Sequence, residues 1–247
     1  MNFLISMFKL GIDDAGRGPV IGPMVLAGCL IDEKTEKEFK KLGVTDSKKL
    51  TPKRRDFLVE KIKAQAETFE IIIIPPIEID GDMENERLRG RGNNLQPISR
   101  AGSGGRIKLN ELEAIATAKI INRINKGYKK LKVVVDCPSV SIIKWQDFLK
   151  TKIKNLSNLE ISCEHKADKN HISVSAASIL AKDIREKEMT KLKKIYGDEI
   201  GSGYTSDLLT QKFLEKFAEK HQDKGIFRKT WITWKNAYNK IGQRKLF

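Results

Sequence analysis

The sequence is poor in cysteine, lacks any long apolar run and carries too little acid to balance its base. Three cysteines, Cys29, Cys137 and Cys163, stand in 247 residues. Their number is odd and their spacing wide, which argues against a disulfide framework or a thiolate zinc site and fits a reducing cytosol. Each reads as a small buried hydrophobe. No apolar stretch reaches the roughly 18 residues that a membrane-spanning helix needs. The opening Met1 to Leu10 is too short for a signal peptide. No internal repeat is visible.

The acid deficit is large: 32 Asp and Glu stand against 47 Lys and Arg, for a net charge of +15. A polyanion is the expected partner, nucleic acid ahead of a membrane surface. The bland alternative is a solubility adaptation. The apolar share of 40% is enough to bury a core. The length suits one large domain, or one domain with a smaller appendage.

What is present is organised around Gly11-Ile12-Asp13-Asp14-Ala15-Gly16-Arg17-Gly18-Pro19. Two adjacent carboxylates end a short apolar run, Phe8 to Ile12. A glycine-rich turn with one arginine follows, and a second apolar run, Val20 to Ile31, begins behind it. The pattern predicts strand, loaded turn, strand. Hard oxygen donors, a guanidinium and backbone amides in so small a space suit a divalent metal together with a phosphate.

Along the chain, Glu33 to Leu42 has helical spacing and Gly43 follows as a helix-ending glycine. Thr51 caps a helix that opens on Pro52 and runs to about Thr68. Phe69 to Ile74 is a β-branched strand stopped by Pro75-Pro76. From Asp80 to about Lys108 periodicity fails, and glycines alternate with Arg87, Arg89, Arg91, Arg100 and Arg106. Such a stretch either tracks a phosphate backbone or is a solvated loop without a role. Leu109 to Gly127 is an amphipathic helix. Leu131 to Val135 is a strand ended by Asp136, and Ser139 is the expected cap of a helix to about Lys152. Leu159 to Cys163 is a strand, His165 to Lys169 a polar turn, and Ile172 to about Ile195 a long helix. Strands alternating with helices predict an α/β fold. The glycine turn Gly197 to Gly203 and a helix from Leu208 to His221 predict a separate helical appendage.

Four acids fall where α/β sheets gather their sites: Asp13 and Asp14 at or just beyond one strand end, Asp136 at another, Asp168 just before a helix. Converging carboxylates repel unless cations bind between them. Their oxygens suit magnesium or manganese rather than zinc. Two such ions can activate a water and stabilise a leaving oxygen in phosphodiester hydrolysis. Taken singly, Asp136 also reads as a strand-end cap, and Asp168 as a solvated acid or a partner of Lys166 or Lys169. The Asp13-Asp14 pair is the stronger signal. Tyr204, in a glycine-rich polar segment, reads equally as a stacking surface or as packing.

Taken together, these motifs resemble the type II ribonucleases H. The first stretch is similar to that family's Asp-Glu followed by Ala-Gly-Arg-Gly-Pro. Val133 to Asp136 resembles its third-acid strand. His165-Lys166-Ala167-Asp168 and Val174 to Lys182 resemble its fourth-acid turn and signature helix. Asp46 to Leu50, Leu109 to Ala114, and Gly201-Ser202-Gly203-Tyr204 with Ser206-Asp207, Arg228 and Trp231 match further motifs, the last set in the archaeal and eukaryotic form. The motifs run in order over nearly the whole chain. The resemblance implies a ribonuclease H-like mixed sheet flanked by helices over 1–195, with 80–108 as a basic insertion, and a small C-terminal helical domain over 196–247. It implies that Asp13, Asp14, Asp136 and Asp168 hold two Mg2+ or Mn2+ ions. Gly16, Arg17 and Gly18 would read a ribose 2′-hydroxyl through backbone groups, Tyr204 would stack on or orient the junction sugar, and Ser47 with Lys48 would hold the substrate, Lys48 at a phosphate. A 2′-hydroxyl is the atom that separates RNA from DNA at one nucleotide.

The implied activity is endonucleolytic cutting of the RNA strand of RNA–DNA hybrids, and 5′ of a ribonucleotide in duplex DNA, leaving 3′-hydroxyl and 5′-phosphate ends. The implied setting is a cytoplasmic monomer of the single-chain prokaryotic type, with no membrane. A resolvase or exonuclease using two metals is the competing enzyme reading, and the motifs around Asp46 and Tyr204 argue against it. A type III enzyme should carry an extra N-terminal domain, and Asp13 lies too near the start for one. The chain departs from the family at Asp14, one methylene shorter than the family's glutamate. That departure motivates the third reading, a hybrid-binding protein impaired in catalysis.

Overall fold

Five runs rich in valine, isoleucine and leucine pair into one sheet in the computed structural model, which describes residues 8–81 and 108–244. The strands are β1 (Phe8–Ala15), β2 (Met24–Ile31), β3 (Thr68–Ile74), β4 (Leu131–Asp136) and β5 (Leu159–Glu164), in the order β3-β2-β1-β4-β5. β1 pairs antiparallel with β2 and parallel with β4, which is parallel to β5. The sheet is mixed, as the resemblance implies.

Eight helices accompany it among the described residues: α1 (Glu33–Lys41), α2 (Pro52–Gln65), α3 (Pro76–Asp80), α4 (Leu109–Ile124), α5 (Ile142–Lys150), α6 (Ile172–Tyr196), α7 (Leu208–Phe217) and α8 (Ile232–Arg244). Local chemistry sets several ends. Asp32 accepts from the Thr35 amide at the start of α1, and Thr51 accepts from the Arg54 amide ahead of Pro52 at the start of α2.

Two glycines let helices lie close on the sheet. A Cβ at Gly11 of β1 would sit 2.1 Å from the Ser173 carbonyl carbon of α6, and one at Gly28 of β2 would sit 2.3 Å from the Ile120 side chain of α4. Gly11 is level with Cys29, and Ile12 with Gly28. Consecutive strand residues point to opposite faces. Gly11 and Gly28 therefore face opposite ways, with α6 on one side of the sheet and α4 on the other.

Several expectations shift. β1 continues to Ala15 instead of stopping at Ile12, and β2 begins at Met24 instead of Val20. α2 ends at Gln65, because Thr68 already belongs to β3. Ser139 caps nothing: α5 starts at Ile142 behind Ser141, which itself makes no capping bond. α4 buries side chains all round from Leu112 to Ala118 instead of along one stripe. Pro75-Pro76 ends β3 and also starts the short α3. The C-terminal region holds a second helix, α8, that polar residues disguise. The arginine-rich insertion from 82 to 107 lies outside the described residues.

The described residues fall into two compact units. One gathers those of Met1–Ala15, Val25–Ile72 and Lys108–Asp183; the other gathers those of Gly16–Met24, Ile73–Ile107 and Ile184–Phe247. In the second unit Val20 and Ile21 pack with Phe213, Phe227 and Trp234 in one core.

Candidate active site

The carboxylates belong to the first unit. Asp13 and Asp14 are strand residues, since the β1–β2 ladder continues to Ala15 opposite Val25. Ile12 is level with Val135 on parallel β4, so Asp13 and Asp136 follow at one level on neighbouring strands. Asp13 is buried, and the Asp14 amide donates to its Oδ1 at 2.7 Å. Burial first, then the charges of Asp14 and Asp136, push the Asp13 carboxyl well above its ordinary value, against a hydrogen bond from Ser178 of α6.

Asp168 sits in a single turn of 3-10 helix, Ala167–Lys169, between β5 and α6. Burial raises its carboxyl too, followed by the charges of Asp136 and Asp46, while Lys48 and Lys169 pull it down. The turn is fixed on several sides. The Ala167 amide donates to Asp136 Oδ1 at 3.1 Å, Ser175 Oγ donates to the Asp168 carbonyl at 2.6 Å, and His171 Nε2 meets Glu164 Oε2 at 2.9 Å. Lys166 takes a left-handed conformation at φ 58°, uncommon outside glycine.

Those two shifts tie Asp13, Asp14, Asp136 and Asp168 into one electrostatic neighbourhood. The donor set is all carboxylate, the chemistry of Mg2+ or Mn2+ and not of zinc. Among the described residues no three Asp, Glu, His or Cys side chains are grouped so that they could hold a metal ion as they stand. A small cleft of about 10 Å³, lined by Asp13, Asp14, Asp136, Glu113 and Trp145, has room for one water or bare ion.

Ser47 and Lys48 lie in a 3-10 turn capped by Asp46, whose Oδ1 accepts from the Lys48 amide at 2.9 Å. Lys48 is exposed. Ser47 is buried, and its hydroxyl is 3.0 Å from that of Ser178, the residue bonded to Asp13. From there it supports Asp13 through Ser178.

Gly16, Arg17, Gly18 and Tyr204 belong to the second unit. The turn is held from behind by Arg228, which is fully buried. Its guanidinium donates to the carbonyls of Gly16 (2.6 Å), Arg17 (2.7 Å) and Gly22 (3.0 and 3.2 Å) and lies 5.1 Å over the Trp231 ring. Trp231 Nε1 donates to the Gly18 carbonyl at 3.1 Å. The Val20 and Ile21 amides both donate to the Gly203 carbonyl, and Arg228 donates its own amide to Val20. Gly16 has φ 81°, and a Cβ there would strike the Arg185 side chain, so only glycine fits. Tyr204 is 41% exposed, with the Arg185 guanidinium 4.8 Å from its ring and bonded to the Ser202 carbonyl at 3.1 Å.

The family model for ribonuclease HII matches residues 10–234. The chain belongs to the ribonuclease HII family. Members of that family are endoribonucleases acting on the RNA strand of RNA–DNA hybrids. A ribonuclease HII from Methanococcus maripaludis strain C6 is 39% identical over 241 residues, covering 96% of this chain and 90% of its own. The ribonuclease H2 of Pyrococcus horikoshii OT3 superposes with a TM-score of 0.76 at 34% identity, over 95% of this chain and 98% of that one. A Bst ribonuclease HIII in complex with Mn2+ shares the fold at 17% identity and a TM-score of 0.71, over 96% of this chain and 71% of that one.

Within the ribonuclease HII framework, sequence reading assigned no role to four residues that the structure puts at these places. Ser178 is masked by the small residues around it, which read as packing. Arg185 sits in a charged stretch of α6 where nothing marks it. Arg228 stands out only as part of a family pattern. Glu113 interrupts the apolar centre of α4, and that interruption was the available signal.

Proposed function

We propose that this chain cuts the RNA strand of RNA–DNA hybrids, and duplex DNA 5′ of an embedded ribonucleotide, with Asp13, Asp14, Asp136 and Asp168 as the catalytic carboxylates. The observation that carries the reading is the placing of Asp13 and Asp136 level on adjacent strands with Asp14 beside them, while Asp13 and Asp168 are buried and feel the charge of Asp136. Two divalent ions, Mg2+ or Mn2+, would supply an activated water and neutralise the leaving oxygen when bound. Asp13 and Asp136, level on adjacent strands, would hold them from the sheet; Asp168 would do so from its clamped turn and Asp14 from the next strand position. The cut would leave 3′-hydroxyl and 5′-phosphate ends.

Selection of the ribonucleotide falls to the second unit. Arg228 and Trp231 occupy the carbonyls of Gly16, Arg17 and Gly18, which fixes the turn's shape. A preformed backbone turn can read a 2′-hydroxyl without reorganising. Half-exposed Tyr204, backed by Arg185, offers its ring to the junction sugar. Exposed Lys48 would take a phosphate. We read the protein as a cytoplasmic monomer, on its cysteine usage and charge; among the described residues no helix is long and apolar enough to cross a membrane.

The test is cleavage of duplex DNA bearing one ribonucleotide, with Mg2+ and Mn2+ assayed separately. A single cut 5′ of the ribonucleotide in either metal is the expected result. Binding without cleavage in both would instead support the impaired hybrid-binding reading that Asp14 motivates.

A further inference from the structure

Lys166 is the one non-glycine with a positive φ among the described residues, at φ 58° and ψ 38°. There the Cβ of an L-residue crowds its own backbone, so glycine is the usual occupant and asparagine an occasional one. The conformation itself has a purpose. It turns the chain out of β5 so that the Ala167 amide meets Asp136 Oδ1 at 3.1 Å. Both flanks of the turn are tied. His165 Nδ1 lies 3.0 Å from the Cys137 carbonyl, and the Lys169 amide donates back to the Lys166 carbonyl. Those bonds explain the backbone angle and leave the side chain unexplained, since a glycine at 166 would allow every one of them with less strain.

Strained residues cluster where the site needs what they carry. Lys166 is exposed, and among the described residues nothing pairs with its ammonium. The lysines that lower the Asp168 carboxyl most are Lys48 and Lys169. Lys166 stands two residues from Asp168, so their Cα atoms are at most about 7.6 Å apart. A strand cut at Asp168 therefore runs within reach of a lysine side chain at 166. The reacting phosphate belongs beside Asp168, where Lys48 and Lys169 already act. We propose that Lys166 is a substrate-binding residue whose ammonium holds a phosphate flanking the cut. This rests on the nucleic-acid substrate and the carboxylate site proposed above.

Binding of an RNA–DNA hybrid across a salt series, measured by fluorescence anisotropy in chelator, tests it. Melting temperature and steady-state kinetics in Mg2+ or Mn2+ accompany it. Lys166→Gly removes the charge and the strain together. It should reduce the slope of log affinity against log salt by about one, and weaken binding roughly three- to tenfold at about 0.1 M salt. KM should rise while kcat stays within about twofold, since a flanking contact is made equally in ground and transition states. The melting temperature should equal or exceed the native one, because relief of strain offsets the freer unfolded chain. Lys166→Asn, uncharged but tolerant of the same backbone, should repeat the loss of binding, and Lys166→Arg should restore it. An unchanged salt slope in Lys166→Gly overturns the proposal, as does Lys166→Arg binding no better than Lys166→Gly. A melting temperature well below the native one in both uncharged variants overturns it too, because the side chain would then hold the turn and not the substrate. A native chain that binds the hybrid while Lys166→Gly keeps its slope sinks this proposal alone. If the native chain binds neither hybrid nor ribonucleotide-bearing duplex, the function proposed above falls and this proposal falls with it.

Discussion

The two units build their candidate sites from opposite materials. The first uses charged side chains that destabilise one another: Asp13 and Asp168 are buried and raised by their neighbours. The second uses uncharged backbone, the Gly16–Gly22 turn, held by a buried cation that satisfies its carbonyls. One arrangement stores repulsion for a cation to relieve; the other arrives already satisfied. Neutralising a charge should therefore raise stability in the first unit and lower it in the second.

The largest expected effect comes from Asp13→Asn. Losing a ligand of the proposed metal centre removes several kcal/mol of transition-state stabilisation, on the order of a thousandfold in rate. The same change should raise the melting temperature in chelator at pH 7, by about 2–4 °C for each kcal/mol of repulsion and desolvation removed. The pH dependence carries the same sign. A carboxyl raised in the folded state takes up its proton before the unfolded chain does. Its stabilising contribution is complete below the ordinary value of 3.8 and is lost as pH rises through the raised values of Asp13 and Asp168. Metal-free native protein should thus gain from these two groups as pH falls from neutrality toward about 4, and Asp13→Asn should flatten that gain. A native stability curve that the substitution leaves unaltered would contradict the account of the first unit.

Arg228→Gln is the counterpart. Hydrogen bonds from a charged donor are worth about 1.5–3 kcal/mol each, and four bonds to the carbonyls of Gly16, Arg17 and Gly22 are at stake. The expected loss is about 3 kcal/mol or more, a fall in melting temperature of roughly 6–12 °C. Cleavage at a single embedded ribonucleotide should suffer more than Mn2+ affinity does. If Mn2+ affinity fell as far as cleavage, the division of labour between the units would be lost.

How legible each region was follows from the same contrast. The first unit announces itself in sequence because its chemistry is in side chains: an Asp-Asp pair after an apolar run, and Asp136 after Val133-Val134-Val135. The strand bounds were missed because β1 tolerates Asp13 and Asp14 inside its ladder, where charge would ordinarily end a strand. The second unit hides its working parts. A carbonyl has no letter in a sequence, so Arg228 shows there only as part of a motif and not by what it holds, and the contact between Gly16–Met24 and the C-terminal helices depends on pairings more than 200 residues apart. Glu113 falls between: it is visible as a charge in an apolar helix, but only the folded chain shows that it lines one cleft with Asp13, Asp14 and Asp136.

The smallest effect probes the edge of the first unit. Lys48 is exposed, and its charge already lowers the carboxyl of Asp168. As a phosphate contact, Lys48→Ala should weaken binding of hybrid and of ribonucleotide-containing duplex alike, and reduce the slope of log affinity against log salt by about one. Removing the same cation should also raise the Asp168 carboxyl further, shifting the lower limb of the pH–rate profile toward higher pH. The two readouts separate two jobs for one side chain. A changed salt slope with an unmoved pH limb would make Lys48 a substrate contact alone, whereas a moved limb with an unchanged slope would make it a neighbour that tunes Asp168. In that second case the first unit, too, would rest on a cation of its own, and the contrast with Arg228 would narrow to one of burial.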